Sequence, residues 1–136
     1  MSDMKFESVY DVEYAPYFLY ALLEQRGANE SISHKKMPTM KEHVDFMASR
    51  PYKHWYIISV LNVGYVGAIY LTHQRELGIW IHQSYQRSGY ARMAIAQLQQ
   101  RHPGPLLANI NPRNAKSISL FAALGFKQIQ VTYAKE

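Results

Sequence analysis

The chain has no cysteine among its 136 residues, which excludes a disulfide framework, a thiolate metal site and a cysteine nucleophile. Charged residues are sparse at 18%, and no apolar run approaches the roughly 18 residues that a bilayer-spanning helix needs. The N-terminal stretch MSDMKFESVY is broken by charge, so it is no signal-peptide apolar region. No segment is concentrated in Pro, Gly or Ser, and none repeats, so neither a linker nor a solenoid is indicated. Acidic residues are the minority: ten against fifteen Lys and Arg give a formal charge of +5, a balance that favours anionic partners. The bases are scattered, densest at His34-Lys35-Lys36, and form no continuous stripe of the kind that nucleic acid takes. The histidines, at 34, 43, 54, 73, 82 and 102, show no metal-ligand spacing. The expectation is a soluble cytoplasmic protein with no metal, no nucleic-acid partner and no membrane contact.

What is present is apolar and aromatic: 48% hydrophobic residues, with eleven Tyr, five Phe and two Trp, far from the composition of a disordered chain. The length suits one domain over 1–136 with one core. A strand is expected at Met4–Val9, then an aromatic-rich helix with Pro16 in its first turn, running to Arg26 and stopped by Gly27. Thr39 and Glu42 have the spacing of a capping box, which opens a helix to about Arg50. Trp55–Val60 and Tyr65–Thr72 read as strands joined through Asn62 and Gly64, and Glu76–Ile81 extends them into a meander. Apolar spacing gives a helix over Gly89–Arg101, a short strand at Leu106–Ile110, a helix over Asn114–Leu124 ended by Gly125, and a last strand at Phe126–Tyr133.

Between the strand ending near Ile81 and the following helix lies Gln86-Arg87-Ser88-Gly89-Tyr90-Ala91. A helix start offers unpaired N–H groups and partial positive charge, and a glycine there lets phosphate approach the backbone. Arg87 and Arg92 would add charge. On the residues alone, the simpler reading is that Gly89 only allows a tight strand-to-helix turn. Gln86-x-x-Gly89-x-Ala91, however, matches the Gln/Arg-x-x-Gly-x-Gly/Ala loop of the GCN5-related N-acetyltransferase superfamily. Asn114 to Phe126 is similar to that family's Asn-x-x-Ser/Ala-x-x-Leu-Tyr/Phe-x-x-x-Gly-Phe helix, and Glu76-Leu77-Gly78-Ile79-Trp80-Ile81 resembles its fourth strand. Two motifs in order, each on the expected element, make the resemblance specific.

The resemblance implies an α/β (α+β) fold, with a mixed, mostly antiparallel central sheet flanked by helices in the order β-α-α-β-β-β-α-β-α-β. The family's usual seventh strand is expected to be absent. It implies acetyl-CoA in an opening between the fourth and fifth strands, its pantetheine along the backbone of Ile79, Trp80 and Ile81. The pyrophosphate would lie on Gln86, Arg87, Ser88, Gly89, Tyr90, Ala91 and Arg92, with Asn114, Ser117 and Phe121 contributing from the last helix. An amine must lose its proton before it attacks, so a base is expected. Glu76 leads and His82, in phase with it, is second. Where many members carry a thiolate-protonating Tyr this chain has Phe121, so Tyr85 and Tyr133 are the replacement acids to test. The first two helices and their connection would hold the acceptor through Tyr17, Arg26, Asn29 and His34. The acceptor is expected to be a small-molecule primary amine, with a faint likeness over Ile32–Ile58 to enzymes that acetylate amino-sugar nucleotides. With no cysteine to carry an acyl group, transfer would be direct. Acetylation of a protein N-terminus or lysine, and a non-catalytic CoA-binding regulatory domain, remain open alternatives; the missing strand suggests a homodimer contact.

Overall fold

The computed structural model describes residues 3–26 and 36–136. Gly27, Asn29, His34 and Lys35, to which the sequence assigned a helix stop, acceptor contacts and part of a basic cluster, lie outside the described residues. The elements are β1 (Met4–Ser8), α1 (Ala15–Glu24), α2 (Met40–Ala48), β2 (His54–Val60), β3 (Gly64–Leu71), β4 (Glu76–Ile81), a 3-10 turn (Gln83–Tyr85), α3 (Tyr90–Arg101), β5 (Leu107–Ala108) and α4 (Ala115–Ala123). The sheet runs β1-β2-β3-β4-β5. β1 to β4 are antiparallel neighbours and β5 joins β4 in parallel. The expected mixed, mostly antiparallel sheet with helices on its faces is what forms.

Side-chain alternation splits the core in two. Phe6, Tyr56, Ile69, Leu71, Leu77 and Ile81 face α3 and α4, where they meet Ala94, Ile95, Leu98 and Phe121. Ile57 and Ala68 face α1 and α2, where they meet Leu19, Leu22 and Met47. α2 starts as its sequence dictates: Thr39 accepts from Glu42 N–H at 3.1 Å while the Glu42 carboxylate accepts from Thr39 N–H at 2.8 Å.

The strand expected at Phe126–Tyr133 does not form. Phe126 folds back, its N–H donating to the Phe121 carbonyl at 2.9 Å and its ring meeting Phe121 edge-on. Beyond it the chain pairs with nothing in the sheet, and Ile129, Val131 and Tyr133 stand exposed. The alternating pattern is genuine, but a strand needs a partner edge, and β5 is only two residues long. The first helix also stops two residues short of Arg26, with Gln25 as its cap.

Candidate functional site

β4 pairs with β5 only at Glu76↔Leu107 and Leu77↔Ala108, whereas its ladder with β3 continues to Gly67↔Ile81. The two strands therefore splay apart beyond Leu77. The Arg75 carbonyl accepts from Leu107 N–H and the Glu76 carbonyl accepts from Thr72 N–H. Odd-numbered residues of β4 thus aim their backbone toward β5 and even-numbered ones toward β3. Ile79 and Ile81 present N–H and C=O to the gap that β5 leaves, and one of these groups is taken: Gln86 Nε2 donates to the Ile81 carbonyl at 3.0 Å. An open strand edge of this length is a template for an extended ligand.

The gap leads to the start of α3. The 3-10 turn is capped by His82, whose Nδ1 accepts from Ser84 N–H at 3.1 Å. Arg87 has φ of 67° and Gly89 φ of 81°, both left-handed. Gly89 is the N-cap of α3 and has no side chain with which to cap it. A Cβ built on Gly89 meets nothing within 4 Å. The arrangement is a concave run of backbone N–H groups at a positive helix end with open space above it, which suits pyrophosphate.

On the other face of β4, a cavity of about 230 Å³ lies between α1, α2 and the sheet. Gly78 and Trp80 form its floor with Ala68 and Tyr70; Leu22, Arg26, Glu42 and His43 reach it from the helices. The Tyr52 and Tyr70 rings stack at 3.7 Å, and burial, with Tyr70 beside it, pushes the Tyr52 phenol well above its ordinary range. The Arg26 guanidinium lies 6.0 Å over the Trp80 ring. Trp80 Nε1 is buried without a partner among the described residues. His43, 3% exposed, has Nε2 3.0 Å from the Pro16 carbonyl, and burial holds its pKa below the ordinary imidazole value. That bond makes Nε2 the donor and leaves Nδ1 as the basic nitrogen.

Of the residues singled out from sequence, Ile79, Trp80, Ile81 and Gln86 to Arg92 come together at the gap and the helix start. Asn114 caps α4 by accepting from Ser117 N–H at 3.1 Å. Phe121 is a core residue at 6% exposure. Glu76 lies on the same sheet face as Gly78 and Trp80, opposite to Ile81, because the β3–β4 ladder has no bulge; its carboxylate accepts from Asn109 Nδ2 at 2.9 Å. His82 spends its Nδ1 lone pair on the turn. Tyr85 packs half-buried beside His82, while Tyr133 is 92% exposed and joins neither core. Arg26 lines the cavity, whereas Tyr17 is exposed on α1. Sequence reasoning missed Glu42, His43, Tyr52 and Tyr70. The capping box marked Glu42 only as a helix cap, His43 fell only within the faint likeness over Ile32–Ile58, and the Tyr52–Tyr70 stack joins residues that no short-range pattern links. Among the described residues no three His, Asp or Glu gather as a metal group, and no helix is long and apolar enough to cross a membrane.

His43, His54 and His102 all have pKa values lowered, chiefly by burial. The unfolded chain therefore binds more protons than the folded one just below the free imidazole pKa of about 6.5. Their contribution to stability is full above that pH and is lost as pH falls through the lower folded values. Thermal unfolding should show Tm dropping between pH 7.5 and pH 5.5, and a His43→Gln variant that stays folded should show a shallower drop. A flat profile would remove these histidines from the acid response.

A model of the acetyltransferase (GNAT) domain family matches residues 11–127. No curated protein sequence matches the chain significantly. Among solved structures, a domain from Methanocaldococcus jannaschii superposes with a TM-score of 0.77 at 19% identity, covering 96% of this chain and 92% of that one. Spermidine N-acetyltransferase from Vibrio cholerae, in complex with CoA and spermine, gives 0.73 at 14% identity over 94% and 83%. An N-acetyltransferase from Staphylococcus aureus gives 0.66 at 16% identity over 93% and 84%. At these identities the likeness is one of fold.

Proposed function

The chain belongs to the GNAT acetyltransferase family, and from that premise we propose that it transfers acetyl from acetyl-CoA directly to the primary amine of a small, oxygen-bearing molecule such as an amino sugar. One observation carries this reading: the gap and the cavity meet on β4, where Ile79 and Ile81 give backbone to the gap while Gly78 and Trp80 face the cavity. Acetyl-CoA, when bound, supplies the activated acyl carbonyl. The open edge of β4 would hold the pantetheine arm, the amides from Arg87 to Ala91 the pyrophosphate, and Ile79 N–H the oxygen charge that develops as the amine attacks.

The lining of the cavity supports this acceptor class. Its aromatic walls suit the carbon face of a sugar ring, and the orphaned Trp80 Nε1 asks for an oxygen acceptor on the ligand. Some structural neighbours acetylate spermidine. A polycation fits poorly here, because Arg26 is in the lining, Glu42 is its sole carboxylate among the described residues and the chain carries a net +5. About 230 Å³ is below the roughly 300–1,000 Å³ of drug-sized sites, so a sugar fits inside while an attached nucleotide would lie outside.

Glu76 and His43, both on the cavity's side of the sheet, are the groups proposed to take the amine proton; the Glu42 carboxylate, also in the lining, is engaged by the Thr39 N–H at the start of α2. CoA release should be screened over amino sugars, amino acids and polyamines. An amino sugar turned over faster than spermidine supports the reading, and the reverse order sinks the acceptor class. With that acceptor, Glu76→Gln should lower kcat/KM at least about tenfold if Glu76 is the base; a smaller loss, with the acid limb of the pH profile intact, transfers the role to His43.

A further inference from the structure

We propose that a second groove, at the end of the sheet where β2 begins, is a binding site for a small anion bearing two or more phosphate charges. The groove encloses about 400 Å³, and Arg50, Lys53, His54 and His73 line it together with the phenols of Tyr10 and Tyr56. Among the described residues no carboxylate lines it. His54 stacks on His102 with ring centroids 3.7 Å apart, and His102 Nε2 is 2.8 Å from the Tyr56 hydroxyl. Arg101 lies 5.0 Å from the Tyr56 ring, and Arg75 Nη2 donates to the His102 carbonyl at 2.8 Å.

Seven basic side chains thus converge from three separate parts of the chain: Arg50, Lys53 and His54 around the start of β2, His73 and Arg75 in the β3–β4 turn, and Arg101 and His102 at the end of α3. The charged groups that act on the two stacked imidazoles are Lys53, Arg75, Arg101, His73 and each other, every one of them basic. Folding that gathers like charge without a counter-charge is unfavourable, and an anion placed there adds an attraction to each of these bases that offsets their mutual repulsion. Arg50 and Arg75 also hold left-handed backbone, at φ of 50° and 68°, a strain that non-glycine residues rarely carry. Arg101 has another role as a cation at a helix C-terminus, Arg75 donates to the Pro105 and His102 carbonyls, Arg50 lies 3.9 Å from the Tyr10 ring centroid, and His54 stacks on His102; Lys53 and His73 have no such role among the described residues. The site is separate from the helix start at Gly89, because the twelve residues of α3 put about 18 Å between its ends.

Inorganic pyrophosphate is the probe. Histidine ring resonances of the full chain, assigned by single His→Gln variants, would be followed through a pH titration with and without pyrophosphate, with sodium chloride at matched ionic strength as control. The expected result is that the His54 and His102 titrations move upward by about one pH unit with pyrophosphate and not with chloride. Lys53→Gln and His73→Gln, both at exposed positions, should each weaken this binding on the order of tenfold. The readout is local to His54 and His102, so anion taken up at the Gly89 helix start does not imitate it. Unmoved His54 and His102 titrations at millimolar pyrophosphate, an equal shift in chloride, or full affinity in both variants would overturn the proposal.

Discussion

Gly89→Glu should remove acetyl-CoA binding by calorimetry, a loss of at least about a hundredfold, while leaving the protein folded. The fold tolerates the change because a Cβ on Gly89 enters open space. Its cost is conformational, about 1 kcal/mol for an L-residue held at φ of 81°. A carboxylate at the first turn of α3 recovers part of that from the helix dipole. The same carboxylate occupies the space above the unpaired N–H groups and repels pyrophosphate from it. Gly89→Ala carries the backbone cost without charge or bulk, so it should bind within about tenfold of wild type. Comparable weakening in both variants would mean that the loop's conformation, and not its open electropositive face, governs binding. Undiminished affinity in a folded Gly89→Glu would place the pyrophosphate elsewhere and remove the cofactor site that the proposed function requires.

The legible part of this site was its backbone. Gln86-x-x-Gly89-x-Ala91 sits where a strand hands over to a helix, and that local requirement has a local signature. The capping box at Thr39 and Glu42 is of the same kind, and it formed as read. The strand expected at Phe126–Tyr133 failed for the opposite reason. Alternation states what a segment would do beside a partner, and only the length of β5, set by the chain's path after Pro105, determines whether an edge is there. The cavity was illegible for a related cause: Tyr70 faces Gly78 through the β3–β4 register, and Tyr52 reaches both from the loop before β2. Arg26, expected on the first helix, lines the cavity, whereas Tyr17 is exposed on α1, because spacing along a helix does not reveal which stripe faces the sheet.

Gly78→Ala should destabilise the protein by about 1–3 kcal/mol, the usual cost of forcing one more carbon into a filled site. Its Cβ would fall within the Tyr70 phenol ring. Tyr70 cannot step aside freely, because its other face is stacked on Tyr52, which in turn meets Trp55 at 4.8 Å. The displaced ring would fill the cavity that the proposed acceptor needs. For a chain of this size each kcal/mol corresponds to roughly 3–5 °C in Tm, so the loss is measurable by thermal unfolding. The partner variant supplies the control. With Tyr70→Ala the obstructing ring is gone, and the remaining consequence of Gly78→Ala is the reduced backbone freedom of a strand residue, which favours alanine by about 0.5–1 kcal/mol. The same substitution should therefore reverse sign between the two backgrounds. Acetyl-CoA affinity of Gly78→Ala should stay within about threefold of wild type, since the new methyl points into the cavity and away from the β5 gap. Costs that are equal in the two backgrounds would show that the Tyr70 ring does not set the shape of the cavity floor. A large loss of cofactor affinity would show that gap and cavity are not the separate faces of β4 on which direct transfer depends.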